Sequence, residues 1–256
     1  MELFDSHAHL NSDRFTADLA QVLQRAREAG VARMVCPGVD LPSSRRAVEL
    51  TSQHPERILA AVGIHPTCWT GAGPAELAVL EELAGLPQVV AIGETGLDFH
   101  RQDVTPEAQE EGFRHHMTLA RSVGKPLIVH SRRADEAVLE LLRAEGAGLR
   151  GVRHCFDRPM ETARQYLELG FNISLAAAVT REGYKRLKKA VRRMPPDRLL
   201  IETDCPYQTP AGRGRVRNEP AFLVETAEAV ARLRGQTPEE IARVTAANAA
   251  QLFGIR

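Results

Sequence analysis

Short apolar runs rich in Val, Ile and Leu alternate along this chain with longer stretches in which apolar positions recur every three to four residues among charged ones. The first pattern suits strands buried on both faces, and the second suits amphipathic helices that cover them. The alternation therefore predicts repeated parallel β/α units. Eight strands are expected, at 2–6, 32–37, 58–63, 89–93, 126–130, 151–154, 171–174 and 198–202. Between the first two, Leu19, Val22, Leu23 and Ala26 fall on one helical stripe of residues 18–29, and Gln24, Arg25 and Arg27 fall on another. Gly30, Gly124, Gly146 and Gly170 each stand just before a strand, where a glycine ends the preceding helix. After the eighth strand a loop rich in Pro, Gly and Arg, 206–220, leads into two more helices at 222–234 and 238–253.

Eight such units in 256 residues match the size and rhythm of a single TIM-type (β/α)8 barrel, and one domain spanning 1–256 is expected. Hydrophobic residues at 43% and charged residues at 26% supply one sizeable core and leave no case for disorder. Lys plus Arg equals Asp plus Glu at 33 each, so net charge exerts no long-range pull on nucleic acid or an anionic membrane, and any polyanion must be held locally. No basic leader with an apolar stretch opens the sequence, and no segment approaches the roughly 20 apolar residues of a membrane helix. Cys36, Cys68, Cys155 and Cys205 show no short repeated spacing, which points to a reduced, cytoplasmic protein.

In barrels of this kind the active site lies at the C-terminal ends of the strands. Five expected strand ends carry metal-binding side chains: His7 and His9, then Glu94, His130, His154 and Asp204. Residues two apart on a strand project to the same face, so His7-Ala8-His9 offers two imidazoles to one ion, although a polar turn shows the same pattern. Parity favours the metal. Val90 and Ile92 share a face with Glu94, Ile128 with His130, Val152 with His154, and Leu200 with Glu202 and Asp204: apolar below, polar at the rim. Cys155 and Cys205 fall on the opposite face, as packed residues rather than thiolate ligands.

Four histidines and two carboxylates exceed the needs of one four-coordinate ion, so two divalent ions sharing ligands are expected, with Glu94 bridging them between Gly93 and Gly96. Mixed nitrogen and oxygen donors suit zinc, manganese or cobalt better than an all-oxygen magnesium site would, and the identity stays open among zinc, manganese, magnesium and cobalt. Asp204 has a second expected use, as acceptor of the proton of a metal-bound water. Glu202 and Asp5 are expected one layer deeper, holding other groups or forming buried ion pairs.

Seven ordered motifs carry a resemblance: Phe4-Asp5-Ser6-His7-Ala8-His9-Leu10, Gly63-Ile64-His65-Pro66, Gly93-Glu94-Thr95-Gly96-Leu97-Asp98-Phe99, His130-Ser131-Arg132, His154-Cys155-Phe156, Ile201-Glu202-Thr203-Asp204-Cys205-Pro206-Tyr207 and Asn218-Glu219-Pro220. With them, the chain closely resembles the TatD-like metal-dependent deoxyribonucleases of the amidohydrolase superfamily over nearly its whole length. The resemblance implies that the six residues above ligate two divalent ions, that phosphodiesters are hydrolysed from a nucleic-acid end, and that His65 contacts substrate phosphate. Read from the residues alone, His65 is also a candidate helix cap. Thr95 and Phe99 stand where Ile and Tyr are usual, and Asp157 where a small residue is commoner; none removes a ligand, but Asp157 bears on substrate preference.

The expected substrate is single-stranded DNA, hydrolysed by a metal-bridging hydroxide with Asp204, Glu94 and His65 as catalytic groups. Arg132 and Arg215 are the expected backbone contacts, with Arg101, Arg133, Arg213 and Arg217 nearby, while the loop holding Arg213 to Arg217 also reads as a solvated segment. The basic run at 185–193 reads as the solvated face of a helix. Trp69, Phe99 and Tyr207 follow strand ends and are candidates to stack a terminal nucleotide. Two rival functions use the same residues: hydrolysis of an ester or amide such as an aminoacyl ester, and a catalytically silent metal-binding scaffold.

Overall fold

The computed structural model describes residues 1–101 and 103–255. The strands β1 (Leu3–Asp5), β2 (Val31–Pro37), β3 (Ile58–Val62), β4 (Val89–Asp98), β5 (Leu127–Arg132), β6 (Gly151–Arg153), β7 (Phe171–Leu175) and β8 (Leu199–Ile201) are hydrogen-bonded neighbours in chain order within one sheet. The Ser6 amide donates to the Ile201 carbonyl at 3.1 Å, which returns β8 to the segment after β1. Between and after the strands lie α1 (Leu19–Glu28), α2 (Leu41–Gln53), α3 (Pro74–Gly85), α4 (Pro106–Val123), α5 (Asp135–Glu145), α6 (Met160–Glu168), α7 (Lys185–Val191), α8 (Leu223–Arg234) and α9 (Pro238–Phe253). This is the (β/α)8 barrel that the alternation of patterns predicts. None of the described helices is long and apolar enough to cross a membrane.

The chain divides into two compact units. The first comprises Met1–Val35, His154–Leu167 and Asn172–Arg256; the second comprises Cys36–Arg153 and Glu168–Phe171.

In the first unit β1 pairs in parallel with β2, with Phe4 opposite Arg33, and β7 pairs with β8, with Ser174 opposite Leu200. The Phe4 ring stacks on Phe253 of α9 at 6.1 Å between centroids. That helix starts in a capping box, Thr237 Oγ1 accepting from the Glu240 amide at 3.2 Å and Glu240 Oε2 accepting from the Thr237 amide at 2.9 Å. A cap of this kind typically contributes about 1 kcal/mol. Beyond β8, buried Asn218 donates through Nδ2 to the carbonyls of Thr203 (2.8 Å) and Tyr207 (2.6 Å), which ties the 206–220 loop to the strand end.

In the second unit β3, β4, β5 and β6 pair in parallel. Here the sequence reading stops β4 too early: the strand does not end at Gly93 but runs through Glu94 to Asp98, and β5 runs on to Arg132. Gly96 is the reason. It sits at φ +126 with the space for a Cβ only 2.1 Å from the His130 carbonyl oxygen, so the ladder continues there only without a side chain. α4 packs as closely on Trp69, since a Cβ on Gly112 would lie 2.5 Å from the indole. Trp69 is therefore 2% exposed and is not a stacking surface, contrary to the expectation from its place after a strand. Burial of an indole against a helix is a tertiary event that leaves no mark on the local pattern.

Candidate metal centre

In the first unit, backbone pairing beyond the strand ends brings three predicted ligands abreast. The Asp204 amide donates to the His7 carbonyl at 2.9 Å, and the His9 amide donates to the Cys205 carbonyl at 2.8 Å. Asp204 itself takes the left-handed conformation, φ 55, which Asp tolerates better than most residues. His7 Nε2 and His9 Nε2 lie 3.1 Å apart, and they lie 3.8 and 3.6 Å from Asp204 Oδ1. Ligands about 2.0–2.1 Å from a tetrahedral ion sit about 3.3 Å from one another, so this triangle has the size such an ion requires. Two imidazole nitrogens and a carboxylate oxygen also match the donors preferred by zinc, manganese or cobalt.

His154 stacks face to face on His7, with centroids 4.0 Å apart. Its Nδ1 lies 3.3 Å from Glu202 Oε1. The same carboxylate accepts from the Cys155 amide at 2.6 Å and from Ser6 Oγ at 3.4 Å. Burial opposes ionisation of Glu202, but the hydrogen bond and charge of His154 and the charge of His7 outweigh it and hold the carboxyl below its ordinary range. Donating Nδ1–H to Glu202 would leave the His154 Nε2 lone pair for a metal ion, the arrangement common behind metal-bound histidines. Asp5 plays a different part. It accepts from Thr203 Oγ1 (2.6 Å), the Thr203 amide (2.9 Å) and the His7 amide (3.2 Å), clamping two strand ends together. Burial nevertheless pushes its carboxyl up to about 7.

In the second unit Glu94 Oε1 lies 2.9 Å from His130 Nδ1 and 3.6 Å from His65 Nε2. The other nitrogen of His130 is 3.2 Å from Asp98 Oδ2. Asp98 also accepts the amides of His100 (2.9 Å) and Arg101 (3.2 Å) through Oδ1. Burial works against its charge, but the hydrogen bond and charge of His130, with those two amides, prevail and hold the carboxyl well below the usual range. Asp98 is the site residue that reading the sequence missed. The signal was present, because Asp98 stands four residues beyond Glu94, an even number along an extended segment, but it lies past the point where the strand was expected to stop.

His65 takes the capping role that its position suggests. Its Nδ1 accepts from the Thr67 amide at 3.2 Å and so caps the 3-10 turn Pro66–Cys68. The same nitrogen lies 2.7 Å from Thr67 Oγ1, and in the tautomer that accepts from the Thr67 amide the ring proton would sit on Nε2 as a hydrogen-bond donor. Gly93 and Glu94 are joined by a cis peptide bond.

The expected substrate contacts are placed unevenly. Arg132 is exposed at the end of β5, and Arg215 is exposed in the 206–220 loop. On either side of Arg215, Arg213 is held by Glu225 at 2.6 Å and lies 4.1 Å over the Phe222 ring, while Arg217 forms a two-pronged pair with Asp18 at 2.6 and 2.8 Å. The four cysteines are free thiols.

Known proteins match this chain over nearly its whole length. A family model described as TatD related DNase matches residues 4–254. An uncharacterized metal-dependent hydrolase of Bacillus subtilis, YabD, is 42% identical over 254 residues, which cover 99% of each chain. A protein of Erwinia tasmaniensis named 3'-5' ssDNA/RNA exonuclease TatD is 37% identical over 99% of this chain and 100% of its own. Among solved structures, YJJV, a TatD homolog from Escherichia coli, superposes with a TM-score of 0.93 at 26% identity, over 99% of this chain and 98% of that one.

Proposed function

The chain belongs to the TatD-related DNase family of metal-dependent hydrolases, and from that premise we propose that it is an exonuclease that removes nucleotides from the 3' end of single-stranded DNA. Its metal ligands are His7, His9, Glu94, His130, His154 and Asp204, and they take two divalent ions. The observation that carries the reading is the triangle of His7, His9 and Asp204 donor atoms at 3.1, 3.8 and 3.6 Å. The substrate and the direction rest on the activity for which the Erwinia relative is named.

When bound, divalent ions supply positive charge to the phosphoryl oxygens and make water more acidic. The protein's own groups do the rest. Asp204, 12% exposed at its side chain, accepts the proton of the attacking water and returns one to the leaving oxygen. His65 donates Nε2–H to a phosphoryl oxygen, a role its capped tautomer prepares. Glu202 and Asp98 hold His154 and His130 in one tautomer and orientation. Arg132 and Arg215 neutralise backbone phosphates along the strand.

Purified protein supplied with manganese, zinc, cobalt or magnesium is expected to release mononucleotides from the 3' end of labelled single-stranded DNA. Chelator and Glu94→Ala should each abolish the release. Purely internal cleavage, activity that survives Glu94→Ala, or turnover confined to small esters and amides would overturn the proposal.

A further inference from the structure

Three large apolar side chains are exposed among the described residues: Met1 at 45%, Tyr207 at 53% and Val216 at 52%. Scattered exposed apolar groups are ordinary. Tyr207 differs from the other two in its surroundings. Its ring stands edge-on to the imidazole of His9, with centroids 5.9 Å apart and planes at 76°. The Arg14 guanidinium carbon lies 5.9 Å from the ring centroid. An exposed aromatic ring thus adjoins a predicted metal ligand and carries a cation beside it.

Both members of the pair are mounted on fixed backbone. The Tyr207 amide donates to the Asp204 carbonyl at 2.9 Å, and its carbonyl accepts from buried Asn218 at 2.6 Å. The Arg14 carbonyl accepts from Arg217, whose guanidinium is itself held by Asp18 and lies 4.5 Å over the Phe15 ring. A ring presented by anchored backbone loses little conformational entropy when a planar group covers it. Every nucleobase has a π-face, so such a ring accepts any terminal base, and a neighbouring cation suits the phosphates that accompany it.

We propose that Tyr207 and Arg14 form a nucleobase subsite, in which the phenol ring stacks on the 3'-terminal base and the Arg14 guanidinium backs the ring and faces the strand's phosphates. This rests on the nuclease reading above. The subsite selects for the presence of a base at the strand end and is indifferent to which base it is.

The test compares two short single strands, one with a normal 3'-terminal base and one abasic at that position. Binding is read by fluorescence anisotropy in the Glu94→Ala background, where cleavage is absent, and KM and kcat are read separately in the manganese-loaded chain. The base-ended strand is expected to bind about tenfold tighter than the abasic one. Tyr207→Leu should erase that ratio and raise KM for the base-ended strand by about the same factor, and Tyr207→Phe should restore it. Thermal unfolding of each variant checks that the fold persists. If the ratio survives Tyr207→Leu, or is already absent before substitution while cleavage is normal, the subsite is overturned and the nuclease reading stands. If the metal-loaded chain neither binds nor cleaves either strand, the nuclease reading falls and takes the subsite with it.

Discussion

In the first unit His154 rests on Glu202, and in the second His130 rests on Asp98, so each half of the chain steadies a histidine with a buried carboxylate. The settings differ. Glu202 is fully buried and shared with the Cys155 amide and Ser6, and the imidazoles around it are closed in, His7 at 0% and His154 at 3%. Asp98 is held by backbone amides of the loop that follows it, and the histidines beside it, His65 and His130, are 14% and 18% exposed at their side chains. The first cluster is rich in nitrogen donors set in a closed interior, whereas the second pairs the Glu94 carboxylate with more accessible rings. A carboxylate that must hold its charge without water depends on every partner it has, so disturbing the closed cluster should cost both metal binding and folding.

The sharpest way to break this comparison is to remove a ligand from each side. Glu94→Ala and Asp204→Ala are each expected to lower turnover by about three orders of magnitude or more, with loss of bound metal measured by elemental analysis. Retained metal and activity in either variant would exclude that residue as a ligand. Next come the supporting carboxylates. Glu202→Gln and Asp98→Asn should weaken metal affinity by about 10- to 100-fold, read by competition with a chelating dye. Glu202→Gln should in addition lower the melting temperature of the metal-free chain more than Asp98→Asn does, and the reverse order would contradict the contrast in burial.

Much of this arrangement is legible in the sequence, for a physical reason. His7, His9 and Asp204 stand at strand ends with the period-2 parity of a barrel interior, and the structure sets their donor atoms within 3.8 Å of one another. Glu202 is readable in the same way, two residues before Asp204 on the same face. Asp98 escaped because Gly96 allows a strand to continue where a glycine usually signals its end. The burial of Trp69 is not legible locally, because it depends on Gly112, 43 positions away in α4, and not on its neighbours in sequence. The tie between Arg217 and Asp18, which converts part of a Gly- and Arg-rich loop into an anchored one, is likewise a long-range pairing that local composition does not encode.

A third effect belongs to the second unit alone. His116 of α4 is fully buried, accepting from the Ile64 amide at 2.9 Å and facing the Gly112 carbonyl at 2.6 Å. Burial lowers its pKa from 6.5 to about 4. Above pH 6.5 both the folded and unfolded chains carry it neutral and the stability is complete. As pH falls toward 4 the unfolded chain takes up a proton that the folded chain refuses, so stability is lost, by about 3 kcal/mol at most. Denaturant unfolding of the chelated chain at pH 7 and pH 4.5 should show this loss, and His116→Gln should shrink the difference between the two. An unchanged difference would remove His116 from the account. The smallest expected effect is that of Arg215→Ala, a few-fold loss of affinity for single-stranded DNA with a salt slope shallower by about one.

The central claim is that His7, His9, Glu94, His130, His154 and Asp204 ligate divalent ions. Anomalous diffraction from crystals soaked in manganese or zinc tests it most directly. The account predicts two anomalous peaks, each within about 2.0–2.2 Å of nitrogen and oxygen atoms drawn from these six side chains. Soaked crystals with no peak beside them, or with peaks only at other surface groups, would contradict it.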